Sequence, residues 1–184
     1  MSLVITGNPG VGKHTIAKNL AKILGYKIVD INKVASDSNL YEKADETHDV
    51  DVSKLKIILK KKNLKQSIII GHLAPFVLTK SQISKVIILR KNPYSLSQIY
   101  KKRKYSKKKT IENLGSEVLG IIAFESIKRF GREKIFQIDT SSKSVSRISK
   151  EITDTLDGKI KEDRIDWLSI IAENNDLQKF FPSD

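Results

Sequence analysis

Cysteine is absent from this chain of 184 residues. That excludes disulfides and thiolate zinc sites, and it suits a reducing cytosol. Proline and glycine are scarce, at 4 and 9, and the hydrophobic fraction is 39%, so neither a fibrous nor a disordered chain fits. The longest uncharged run, Gln66 to Thr79, falls short of the roughly 20 residues a membrane helix needs. Met1-Ser2-Leu3-Val4-Ile5-Thr6 has no basic n-region and runs straight into glycine, unlike a signal peptide. The expectation is a soluble, cytoplasmic protein with no membrane partner. Its length fits one domain, 1–184, burying roughly 70% of the surface of the unfolded chain.

Acid is missing locally as well. The net charge of +13 arises from 34 Lys and Arg against 21 Asp and Glu, but residues 54–109 carry 17 of the former and none of the latter. The basic character therefore belongs to one stretch and its surface. Clustered Lys and Arg displace counterions from phosphate backbones, so RNA is one candidate partner. Only Tyr94, Tyr100 and Tyr105 interleave with these cations, which favours backbone attraction over base reading.

What is present alternates. Leu3–Thr6, Tyr26–Ile31, Ser67–Gly71, Val86–Leu89 and Lys134–Ile138 read as five buried strands. Between them lie helical patterns at Ile16–Leu24, Lys54–Lys62, Pro93–Lys102, Thr110–Phe130 and Val145–Leu156, and Arg164–Phe181 reads as a helix on the sheet layer. Strands separated by helices imply an α/β fold, a five-stranded parallel sheet flanked by helices with right-handed crossovers.

Gly7-Asn8-Pro9-Gly10-Val11-Gly12-Lys13-His14-Thr15 sits between the first strand and the first helix. Glycines let the backbone turn several N–H groups on one oxygen cluster, the helix N-terminus adds about half a positive charge, and Lys13 supplies a full one. The plain alternative is a glycine turn at a strand–helix junction. In a generic P-loop a Ser or Thr directly follows the lysine and ligates Mg²⁺. Here His14 intervenes before Thr15, an arrangement similar to nucleoside monophosphate kinases, which leaves Thr15 as a weaker metal ligand. Asp30 and Asp49 are magnesium candidates by position only.

A kinase also needs an acceptor site and a device that excludes water. Asp45, Glu46, Asp49 and Asp51 lie in an acidic segment before the third helix. It reads either as a solvated loop whose last acids and Ser53 cap that helix, or as part of an acceptor site. Residues 101–109 hold seven basic side chains in nine positions. They are either solvated lysines or a lid in which Arg103 forks the transferring phosphoryl group. His72 ends the third apolar run, where ligands bind in such sheets, or is an ordinary loop histidine.

Together these stretches resemble adenylate kinase isoenzyme 6 and its archaeal counterparts, P-loop nucleotide kinases tied to ribosome biogenesis. The similarity rests on Gly7–Thr15, on Asp45-Glu46 with Asp49 and Asp51–Leu55, and on Gly71-His72. It continues through Val86–Tyr94, Arg103–Ser106 with Glu112-Asn113, and Asp166–Leu168. The resemblance implies a monophosphate-binding segment at 30–53 with Asp45, Glu46 and Asp49, and a lid at 102–112. It places Gly10, Gly12, Lys13, His14, Thr15 and Arg103 on ATP, Lys143 beside the adenine and His72 in an altered Walker B. The implied reaction is ATP + AMP to 2 ADP, with broader monophosphate tolerance, Mg²⁺ as cofactor, and an ATPase activity. The implied role is late small-subunit maturation, with the platform ribosomal protein numbered eleven and pre-ribosomal RNA as partners. Two departures stand out. Ile70 replaces an aspartate of eukaryotic members, and Lys104 replaces a glycine before Tyr105. The competing reading is an RNA- or ribosome-binding assembly factor whose nucleotide site acts only as a switch, with little kinase turnover.

Overall fold

β-Branched residues buried on both faces dictate the sheet. The computed structural model describes residues 2–44, 47–159 and 162–182. Strands β1 (Ser2–Thr6), β2 (Lys27–Asp30), β5 (Ser67–Ile70), β6 (Lys85–Arg90) and β7 (Ile135–Asp139) form one parallel sheet in the order 2-5-1-6-7. β1 is central: Val4 faces Ile69 on one side and Val86 on the other. Its carboxyl end therefore opens between two neighbours, where a ligand has walls on both sides.

Alternation sends successive side chains into two separate cores. Leu3, Ile5, Ile68, Ile87, Leu89 and Ile138 meet helices α1 (Lys13–Leu24), α5 (Pro93–Lys102), α6 (Lys107–Val118) and α8 (Val145–Leu156). Val4, Ile69, Val86 and Ile88 meet α2 (Ile31–Asp37), α3 (Val52–Lys61), α4 (Ala74–Val77) and α7 (Ile121–Phe130). Asp51 caps α3 by accepting from the Lys54 N–H at 2.9 Å, as one of its two readings required.

Three expectations change. The pattern from Thr110 to Phe130 is two helices, α6 and α7, because Gly120 adopts φ 64° and ends the first. The tail from Arg164 to Phe181 is not one helix on the sheet layer but α9 (Trp167–Glu173) and α10 (Leu177–Phe180), both against α6. Asn175 at φ 56° separates them. The acidic stretch after α2 is not a plain loop: its strands β3 (Tyr41–Ala44) and β4 (Thr47–Val50) pair antiparallel. Among the described residues no helix is long and apolar enough to cross a membrane.

Candidate nucleotide-binding site

The loop between β1 and α1 is held from outside. Tyr100 donates its hydroxyl proton to the Pro9 carbonyl at 2.7 Å, and Thr140 Oγ1 donates to the carbonyls of Val11 and Arg90. Burial pushes the Tyr100 phenol up, which keeps it a donor. Gly7 must be glycine: at φ 134° a Cβ would stand 2.3 Å from the Leu89 carbonyl oxygen. Gly12 differs, for at φ 99° a Cβ there meets nothing within 4 Å and would point into open space. The loop is thus an open cradle at Gly12 and packed at Gly10, where a Cβ would meet Leu96, Ile99 and Tyr100 at 3.1–3.3 Å.

The cradle floors a cleft of about 670 Å³. Gly10, Gly12, Lys13, His14 and Thr15 line it from the loop and α1, His72 from the end of β5, and Asn32 from α2. Arg103 and Tyr105 line it from the α5–α6 connection, and Lys109, Glu112 and Asn113 from the first two turns of α6. The structure therefore brings together every phosphate-loop residue expected, together with His72 and Arg103. Asp45 and Glu46 lie outside the described residues, and Asp49 is placed only by its backbone pairing with Glu42. Lys143 stands away from the cleft walls, its ammonium shared by Glu151 at 2.8 Å and Asp163 at 2.6 Å.

Lys13 is 8% exposed, and its Nζ donates to the carbonyls of Gly7 and Asn8 at 2.9 and 2.8 Å. Burial pulls its pKa down to about 8, nearby Glu117 opposes that, and Arg103 adds to it. His72 falls to about 4, first by burial and then by the Lys13 and Lys109 charges, so at neutral pH it is an uncharged imidazole. His14 Nε2 lies 2.7 Å from Asp30 Oδ2, while the other Asp30 oxygen caps α2 by accepting from the Asn32 and Lys33 N–H groups. The first turn of α1 and the segment carrying Asn32 are thereby joined.

The lid is small. Arg103 caps α5, Lys104 turns the chain at φ 55°, and Ser106 caps α6. The residue expected to be glycine thus occupies a conformation glycine favours. Tyr105 stacks on Tyr100 with centroids 5.1 Å apart, and Lys109 Nζ sits 4.7 Å above the Tyr105 ring.

Magnesium bound mainly through nucleotide phosphates and waters needs one or two protein oxygens. Thr15 and Glu112 line the cleft and could supply them, while Asp30 is already engaged with His14 and the α2 cap. Among the described residues no three His, Asp or Glu side chains are grouped so as to hold a metal ion.

A family model described as AAA domain matches residues 3–120. The chain is 34% identical over 175 residues to the "Putative adenylate kinase" of Methanocaldococcus jannaschii, covering 91% of this chain and 93% of that protein. The protein of the same name from Pyrococcus furiosus is 30% identical, with 94% of each chain covered. This chain belongs to that archaeal adenylate kinase family. Solved structures carry the same fold at low identity. Shikimate kinase from Acinetobacter baumannii superposes with a TM-score of 0.61 at 16% identity, over 88% of this chain and 96% of that one. Shikimate kinase from Aquifex aeolicus gives 0.56 at 19%, over 86% and 97%. The fold is that of P-loop kinases, and the cradle lies at the same strand–helix junction that defines the family motif.

The supports Asn8, Tyr100, Glu117 and Thr140 carry little signal of that role in the sequence. Glu117 left one trace, an acid beside Leu114 and Val118 on the apolar stripe of α6.

Proposed function

We propose that the protein is an adenylate kinase with broader monophosphate tolerance, transferring the γ-phosphoryl group of ATP to AMP. The observation that carries this is one cleft with the glycine cradle and Lys13 on its floor, Arg103 and Lys109 in its roof, and Asn32 of the acceptor segment in its wall. Phosphoryl transfer asks little covalent chemistry of a protein; it asks for alignment and for positive charge around three equatorial oxygens. The loop amides and Lys13 would hold the β- and γ-phosphates. Arg103, exposed on the lid turn, would reach the transferring group when the turn closes, its fork matching two oxygens. Mg²⁺ would supply charge neutralisation, and Thr15 and Glu112 of the cleft wall would be the protein oxygens available to hold it. The Asp45, Glu46 and Asp49 segment would receive the monophosphate, and Lys143, in the loop after β7, would reach the adenine only by leaving Glu151 and Asp163.

Neutral His72 offers one donor and one acceptor just beyond the end of β5, so it would orient water or phosphate without adding negative charge. This supports a slow ATPase activity beside the transferase. In His72→Ala the two activities should therefore separate; equal, wild-type rates of both would sink that role. Arg103→Lys keeps the charge and loses the fork, and should lower kcat on the order of a hundredfold. A coupled assay of ADP formation with and without AMP tests the whole reading: strong AMP stimulation over a slow basal rate is expected, and a rate that AMP leaves unchanged would oppose it.

The exposed lysines of α3 favour a second reading, a nucleotide-switched factor bound to RNA. Resemblance alone supplies the role in small-subunit maturation, with the platform ribosomal protein and pre-ribosomal RNA as partners. Steep salt dependence of rRNA binding with negligible ADP formation would favour the switch over the kinase.

A further inference from the structure

Glu117, on the last turn of α6, is the most deeply buried charged side chain among the described residues, at 0% exposure. Four donors from three segments converge on its carboxylate. Oε2 accepts from Asn8 Nδ2 at 2.7 Å. Oε1 accepts from Arg90 Nε at 2.8 Å, from the Lys91 N–H at 3.0 Å and from Trp167 Nε1 at 3.2 Å. Its main-chain carbonyl takes a further bond from the Arg90 guanidinium at 2.6 Å. A buried carboxylate is costly unless its lone pairs are occupied, and here they are.

Two of these bonds tie Glu117 to other elements of the site, the loop through Asn8 and α9 through Trp167. Asn8 belongs to the phosphate loop, and its amide is fully used: Nδ2 on Glu117 and Oδ1 accepting from Ser116 Oγ at 3.0 Å. The carbonyl of the same Asn8 receives the Lys13 ammonium. Helix α6 begins in the lid, where its first two turns place Lys109, Glu112 and Asn113 in the cleft wall. Twelve residues make a rod about 18 Å long, so a shift at the lid end is felt at Ser116 and Glu117. Trp167 opens α9 and is the chain's single tryptophan.

We propose that Glu117 is a positioning residue: it sets Asn8, and through Asn8 the Lys13 cradle, according to the placement of α6. Lid closure and loop geometry then form one event, reported at Trp167. The proposal rests on the reading of the cleft as the ATP site. A merely structural Glu117 would alter stability and leave both the turnover of folded enzyme and the tryptophan response unchanged.

Asn8→Ala is the informative variant, because it cuts the loop from the node and leaves Glu117 bonded to Arg90, Lys91 and Trp167. Three quantities are read on the full chain: ATP affinity by calorimetry, Trp167 emission against ATP, and steady-state kinetics. In the wild type the emission change should saturate with the binding isotherm. In Asn8→Ala affinity should stay within about threefold, most of the emission change should vanish, and kcat should fall about tenfold with KM nearly constant. Ser116→Ala should lie between the two. ATP binding by the wild type with silent tryptophan emission would overturn the proposal alone, as would an Asn8→Ala enzyme with wild-type kcat and emission. Absence of ATP binding by the wild type would overturn the nucleotide reading and this proposal with it.

Discussion

At Lys13 two demands oppose each other. Phosphate binding needs the ammonium, yet burial lowers its pKa from 10.5 to about 8. In the free enzyme the charge is half lost near pH 8; bound phosphates restore it. The ratio kcat/KM for ATP should therefore decline above about pH 8, while kcat holds to higher pH, because the first reports the free enzyme and the second the complex. A ratio unchanged to pH 9.5 would contradict this. The folding sign is separate. Between pH 8 and 10.5 the unfolded chain binds the extra proton, so stability rises with pH across that window. His72 behaves similarly at the acid end. Its folded value of about 4 lies below 6.5, so the stability it contributes is present above 6.5 and lost as pH falls toward 4. In His72→Asn, denaturation midpoints measured between those limits should fall less steeply than in the wild type. Lys104 carries backbone strain at φ 55°. Lys104→Gly should relieve about 1 kcal/mol and raise Tm by roughly 2–4 °C; an unchanged or lower Tm would count against it.

At the scale of elements, α6 joins lid, loop and tail. Its Glu117–Arg90 ion pair is 0% and 5% exposed, so Glu117→Ala would leave a buried guanidinium without its partner. Such a loss costs about 3–5 kcal/mol, whereas Glu117→Leu combined with Arg90→Met should recover much of it; chemical denaturation of both variants and the wild type checks the difference. The strands were legible because Ile68–Ile70 and Val86–Leu89 are apolar on both faces. The β3–β4 hairpin was not, since Tyr41-Glu42-Lys43-Ala44 and Thr47-His48-Asp49-Val50 lack a clean apolar alternation and no Asn-Gly marks their connection. The break between α6 and α7 was hidden by Leu119 and Ile121, which continue the apolar period across Gly120. The cradle itself was readable in nine residues. Its supports were not, because Asn8, Tyr100 and Glu117 meet only through contacts distant in sequence.

Over the whole molecule the positive charge divides into two surfaces. Around the lid, Arg103 and Lys109 face the cleft. On and after α3, Lys54, Lys56, Lys60, Lys61, Lys62 and Lys65 are all exposed. If the second surface meets RNA, replacing Lys56, Lys60 and Lys61 by Ser should flatten the salt slope of binding by about 2 for a single strand and leave ADP formation unchanged. Equal slopes in mutant and wild type would leave that surface without an RNA role. ATP at about 100 times its Kd should add about 2.7 kcal/mol to unfolding, and Lys13→Ala should forfeit most of it. The central claim, phosphoryl transfer between bound nucleotides, is tested most directly with labelled AMP. Incubated with ATP and magnesium, wild-type protein should convert the label to ADP in step with ATP loss, and Lys13→Ala should not. Label that remains in AMP while ATP is hydrolysed at a steady rate would contradict the kinase and leave a nucleotide-hydrolysing switch.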